Sequence, residues 1–240
     1  MIALHADIVG SLLRPAQLLD ARQQLAAGAI TAAQFNEIED RAVDDAIALQ
    51  ESVGLEVVTD GEMRRQSFQS QMTAAVNGFG SFDLDAFLWG EWYDQDGVAK
   101  KPRPRGLGAV EKLQPRRYLS ADEFAYLKSK TKRIAKITIP SPSLWANFWS
   151  PKYSRAAYPT LELFLADIVA ILRAEVAELA RLGASYIQLD APHYGLLLDP
   201  KTRAFYEKLG WKLAQWLSLG IELDNAVIAG FPRVTFGFHI

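Results

Sequence analysis

Four apolar segments of this chain each run into polar residues: HADIVGS (His5 to Ser11), EVVTDGEMRR (Glu56 to Arg65), YIQLDAPHY (Tyr186 to Tyr194) and RVTFGFHI (Arg233 to Ile240). Val-, Ile- and Leu-rich runs without strict alternation suit parallel strands covered on both faces. Strands that present acids, a Gly-Ser turn or a histidine at their C-terminal ends are how a (β/α) barrel builds a site.

The segments between them have helical spacing. Thr31 and Gln34 form a capping box, and Phe35, Ile38, Ala42, Ala46, Leu49 and Val53 then fall on one face up to a stop at Gly54. Leu55 to Thr59 follows as a short buried strand. Ser120 with Glu123 predicts a second capping box, opening a helix to about Lys132. Ile134 to Ile139 is the next strand and runs into Pro140-Ser141-Pro142-Ser143. Thr160 opens a long helix with Leu161, Leu165, Ile168, Leu172, Val176 and Leu179 on one face and Gly183 at its end. A helix from Pro200 to about Leu217 and a shorter one over Ile221 to Ile228 lead to the last strand.

Each strand–helix–strand unit implies a parallel pair with a right-handed crossover. Five strands are expected where a closed barrel needs eight. An open doubly wound sheet also accepts five, but its glycine fingerprint after the first strand is absent. The expectation is an α/β fold of the TIM (β/α)8 type, one partial barrel domain over residues 1–240 with about the first five βα units. Residues 77–117 read as an inserted loop or hairpin after the second strand. They carry Gly78, Gly80, Gly90, Gly97, Gly106 and Gly108 and a DQDG turn at Asp94 to Gly97.

Composition narrows the partners. A net charge of -2 over 240 residues argues against nucleic acid, which is met by strongly basic surfaces. No apolar run approaches membrane-spanning length, and the N-terminus lacks a signal-peptide pattern. With no cysteine, disulfides and thiolate metal ligands are excluded. The expected compartment is the cytoplasm.

Several residues are candidates for chemistry. Asp60 and Glu62 flank Gly61 just past a buried strand, beside Arg64 and Arg65, and can bind an amino group; a solvated turn with surface ion pairs is the alternative. Asp190 ends an apolar strand and can grip a substrate cation, while His193 can be catalytic or bond the nearby backbone. Gly10 and Ser11 offer amides and a hydroxyl for a carboxylate, or Gly10 only allows the turn into LLRP. Lys100, Lys101, Arg103 and Arg105, with Arg116 and Arg117, can meet an acidic ligand tail or form a solvated surface. Trp145, Phe148 and Trp149 can stack on a flat heterocycle or pack in the core.

Taken in order, DIVGSLLRP, QESVGLEVVTDGEMRR, ITIPSPS, YIQLDAPHY and VTFGFHI resemble the family of cobalamin-independent methionine synthase and its shorter single-barrel relatives. The resemblance implies that Val9, Gly10 and Ser11 hold an amino-acid thiol substrate. It also implies that Glu62 and Asp190 bind that substrate, homocysteine in the synthases. His239 matches the histidine of a zinc-ligating His-x-Cys pair, so zinc is the implied cofactor and a methylated folate the implied methyl donor. The chain departs from the pattern in two ways. The matching cysteine would fall after Ile240, and the acid that follows Asp190 in the synthases is Ala191 here.

These departures suggest the N-terminal part of a longer protein, one that binds zinc weakly or not at all. Thiolate attack on an epoxide, as in coenzyme M transferase relatives, is a second reading. An inactive barrel fragment acting only through association is a third. Open edges and apolar inner faces of an incomplete arc predict self-association or a partner that completes the barrel.

Overall fold

The computed structural model describes residues 6–80, 92–93, 99–100, 108–208 and 212–240. The helices are α1 (Ala16–Ala26), α2 (Ala32–Ser52), α3 (Ser70–Ala75), α4 (Ala121–Lys130), α5 (Leu161–Arg181), α6 (Pro192–Leu196), α7 (Pro200–Lys208) and α8 (Leu213–Ile228). The strands are β1 (Val57–Val58), β2 (Val76–Gly80), β3 (Trp92–Tyr93), β4 (Ala99–Lys100), β5 (Gly108–Pro115), β6 (Ile134–Pro140), β7 (Tyr186–Asp190) and β8 (Thr235–His239). A 3-10 turn over Pro142–Phe148 follows β6.

Among the described residues the central sheet has four strands, ordered β1-β6-β7-β8 and all parallel. Spatial order follows chain order with no reversal. That is how a barrel winds, whereas a doubly wound sheet turns back at a switch point. Ile137, Ile139, Ile187 and Leu189 point to one face and are fully buried in the core with Leu165, Ile168, Leu172, Val176 and Leu179 of α5. The helical face expected from Thr160 onward therefore forms as read, and Thr160 caps it by accepting from the Leu163 amide.

The opposite, inner face is largely polar: Lys136, Thr138, Gln188, Asp190, Thr235 and His239 alternate with the core residues, with Val57, Ile134, Tyr186 and Gly237 in the same rows. This corrects the expectation of an exposed apolar inner face. The first expected strand is also corrected. Residues 6–9 pair with no strand; they cross the inner face as a strap held by side chains, with Lys136 Nζ donating to Ile8 O and Gln188 Nε2 to Val9 O.

Three further expectations change. The Thr31 capping box forms in both directions, but the Ser120 box does not, because Glu123 is drawn into an ion pair with Arg65 at 2.9 Å. Leu49 of α2 and Val53 at its C-cap are exposed while Val43, Ile47 and Gln50 turn inward. Gln50 is anchored there by bonds to both the amide and the carbonyl of Thr59. Finally, the helix expected over Pro200 to Leu217 is two elements, and the segment from Ile221 belongs to α8.

Between β1 and β6 the chain leaves the sheet. β2 and β5 pair antiparallel, as do β3 and β4. The DQDG turn and Lys101, Arg103 and Arg105 lie outside the described residues. Trp145 and Phe148 are buried against each other and Phe79, so the aromatic cluster after β6 is core. Trp149 donates its ring N–H to Tyr158 O.

Candidate functional site

The turn after β1 places the first acid. Gly61 and Glu62 have φ of 65° and 55°, and Glu62 is the one non-glycine residue with positive φ among those described. A left-handed side-chain-bearing residue costs about 1–2 kcal/mol and persists only where its surroundings hold it. Here Asp60 Oδ1 accepts from the Glu62 amide at 2.9 Å, and Arg14 donates to Glu62 O at 3.1 Å and to Arg65 O at 3.0 Å. The two arginines of the motif then part. Arg64 turns out to Glu39 and Asp40 and lies 4.4 Å over the Tyr126 ring, the surface ion pairing expected as the bland alternative.

Arg65 turns in and is fully buried, bonded to Glu123, Thr138, Ser120 and Glu62. Burial raises the Glu123 carboxyl to about 7 against the pull of Arg65, and raises Asp60 as well. Three buried acids, Glu62, Glu123 and Asp60, beside one guanidinium are only partly compensated.

The Glu62 carboxylate faces the strap. Ser11 Oγ donates to its Oε2 and Thr138 Oγ1 to its Oε1 at 2.7 Å. Gly10 sits directly against it: a Cβ there would lie 2.9 Å from Oε1. The glycine is required by this close approach, not only by the turn into LLRP. The Gly10 and Ser11 amides make no hydrogen bond among the described residues.

On the other wall stands Asp190, buried at the end of β7, its carboxyl raised to about 6 by burial. Gln188 Nε2 donates to its Oδ1 at 2.7 Å, and His239 Nδ1 lies 3.5 Å away. Val9, Gly10, Ser11, Glu62, Phe68, Asp190, Pro192 and His239 together line one cavity of about 290 Å³. All the family-matched positions thus converge on one cavity, Glu62, Asp190 and His239 from the C-terminal ends of parallel strands and Val9, Gly10 and Ser11 from the strap.

His193 lies outside this wall. It is buried, its Nε2 is 2.8 Å from Ser143 Oγ, and burial lowers it to about 4, so it is neutral at ordinary pH. Ser141, Ser143, Tyr194 and Asp224 continue the network and tie α8 to the ends of β6 and β7. His193 therefore bonds a side chain where the backbone was the expected alternative.

Zinc does not fit the donors at hand. A zinc site takes about four ligands of thiolate, imidazole and carboxylate type. The chain has no cysteine, and among the described residues no three His, Asp or Glu side chains are grouped to hold a metal ion.

Comparison with known proteins decides the family. Residues 4–219 match the family described as cobalamin-independent synthase, catalytic domain. The chain belongs to this family. It is 30% identical over 238 residues to a methionine synthase of Pyrococcus abyssi, covering 99% of this chain and 61% of that protein. It is also 30% identical over 208 residues to the 5-methyltetrahydropteroyltriglutamate–homocysteine methyltransferase of Thermosynechococcus vestitus, covering 87% of this chain and 26% of that one. A structure from Listeria monocytogenes, assigned as a vitamin-B12-independent methionine synthase, superposes with a TM-score of 0.72 at 22% identity, over 99% of this chain and 65% of that chain. At that identity the likeness speaks for the fold, a TIM-barrel-type α/β arrangement. The chain spans about three fifths of the length of curated relatives such as the Pyrococcus protein.

Within this synthase-family frame, sequence reasoning missed three residues of the site region. Lys136 and Gln188 are polar residues inside the apolar runs IAKITIP and YIQLD, a signal that those faces do not meet oil. Phe68 left no such signal. Arg116 and Arg117 are exposed and donate to nearby carbonyls. Among the described residues no helix is long and apolar enough to cross a membrane.

Proposed function

We propose that the cavity binds the amino-acid end of a thiol substrate such as homocysteine, in a protein that transfers a methyl group from a methylated folate to that thiol. The observation that carries this is the meeting of the buried Glu62 and Asp190 with Gly10 and Ser11 around one cavity of about 290 Å³. Glu62 and Asp190 would face an α-ammonium; the two amides, unbonded among the described residues, would face the α-carboxylate. Asp190, at about 6, is mostly ionised at neutral pH and suits that role. Phe68, Pro192 and Val9 supply apolar wall for the methylene chain.

In the transfer itself the substrate thiol gives up its proton, its sulfur forms a bond to the folate methyl carbon, and the carbon–N5 bond breaks with its electron pair left on nitrogen, which takes up a proton. The residues of this chain bind and orient the nucleophile. For the zinc of the family, His239 is the one matching donor among the described residues on the cavity wall. The family resemblance and this chemistry support a cytoplasmic location. Among the described residues β8 lies at the edge of the sheet, a position that favours association with a second chain.

Calorimetry with L-homocysteine and with 4-mercaptobutanoate, which lacks the ammonium, tests the reading. Homocysteine binding at least tenfold tighter, and lost in Glu62→Gln, is the expected result. Equal affinity for the two thiols, or none for either, would remove the basis of the assignment.

A further inference from the structure

The two walls of the cavity come from segments nearly 180 residues apart, and one side chain touches both. Gln188 Nε2 donates to Val9 O at 2.6 Å on the strap and to Asp190 Oδ1 at 2.7 Å on β7. Its Oε1 accepts from Lys136 Nζ at 2.8 Å. We propose that Gln188 is a positioning residue that sets the spacing between the strap and Asp190, and that Lys136 is the residue that fixes which way Gln188 points.

The argument is one of donors and acceptors. A carboxamide has a donor end and an acceptor end of nearly the same shape. A lysine ammonium can only donate, and here its three hydrogens have three acceptors: Ile8 O, Gln188 Oε1 and the Asp7 carboxylate at 3.2 Å. The end of Gln188 that faces Lys136 must therefore be the oxygen. The NH2 group is then left facing two acceptors, a main-chain carbonyl and a carboxylate, with one hydrogen for each. The flipped amide would set donor against ammonium and oxygen against two oxygens.

Both residues are shielded from water, Lys136 fully and Gln188 at 5% exposure, so solvent cannot repair a flip. This arrangement also explains how a strap without ladder bonds holds its place: its carbonyls at Ile8 and Val9 are the acceptors that the inner-face side chains need. Gly10 and Ser11 follow at once, and their position against Glu62 is inherited from this anchor.

The inference rests on the cavity being the site, but its test needs no ligand. Backbone 15N relaxation of the 240-residue chain reads the order of the strap directly. Rigid backbone has an order parameter near 0.85 and flexible backbone falls below about 0.6. Gln188→Glu keeps the contact to Lys136 and removes both donors. The expected result is that the amides of Val9 to Ser11 fall below about 0.6 while those of α5 stay near 0.85. Lys136→Met should move the Gln188 side-chain NH2 resonances, since nothing then selects its orientation.

If Gln188→Glu fails to fold, Gln188→Met, which fills the same volume without donors, takes its place. A strap that stays rigid in a folded Gln188 variant would overturn the proposal, and so would loosening shared equally by α5. Failure of homocysteine to bind the wild-type chain bears on the proposed function and leaves the relaxation result to stand on its own.

Discussion

Replacing Arg65 by methionine is the sharpest test of how the site is built. The guanidinium is 1% exposed and its ion-pair partner Glu123, at 2.9 Å, is 4% exposed. Removing one partner of a buried pair leaves an uncompensated charge and costs about 3–5 kcal/mol. A domain typically has about 5–15 kcal/mol to lose, so the variant should be folded but badly weakened. Its urea midpoint is expected to fall by more than about 1 M at pH 8. Glu123→Gln in the same chain should recover about half of that loss, because it removes the stranded charge.

The pH dependence has a definite sign. Burial already raises Glu123 to about 7 from 4.5, and without Arg65 only the raising influence remains. A carboxyl raised in the folded state stabilises fully below its unfolded value and loses that contribution as pH climbs through the folded one. Arg65→Met should therefore be more stable at pH 5 than at pH 8. A midpoint shift under about 0.3 M, or a variant more stable at pH 8, would show that Arg65 does not hold this cluster together.

Other expectations follow from single contacts. Gly10→Ala drives a Cβ to 2.9 Å from Glu62 Oε1 and should cost about 1–3 kcal/mol in urea unfolding, with most of it recovered in Gly10→Ala/Glu62→Ala; simple additivity of the two losses would refute the contact. His193 is lowered from 6.5 to about 4 by burial, so its contribution is present above pH 6.5 and is lost as pH falls toward 4, about 3 kcal/mol in all; His193→Gln should flatten that limb of the stability profile. The β8 edge carries Phe238 at 43% exposure, and light scattering at micromolar concentration should find dimers or larger species; a monomer would show the edge is protected.

Much of this architecture was legible because its causes are local. The Thr31 capping box closes within three residues and forms as read, and the α5 face follows from the 3.6-residue period alone. The same reasoning failed at Ser120, where an identical spacing is present. There Glu123 is claimed by Arg65, 58 residues earlier, and the Ser120 amide by Glu175, 55 residues later. Leu49 was placed inside by period and is outside, because Gln50 beside it satisfies the backbone of Thr59.

The site divides along the same line. Glu62, Asp190 and His239 could be picked out from their places after apolar runs, since a parallel sheet delivers all its C-terminal ends to one side, and Gly10-Ser11 from its place after the apolar run that forms the strap. What fills the inner face could not. The strap has the composition of a strand, yet its residues pair with no ladder among those described. Lys136 and Gln188 instead present side-chain donors to its carbonyls, and donors brought together from positions 136 and 188 exist only once β6 and β7 are paired. Sequence alone determined which residues lie at the strand ends. Only the packed sheet decided what holds the strap against them, because that choice depends on which buried donors lack an acceptor after the strands have met.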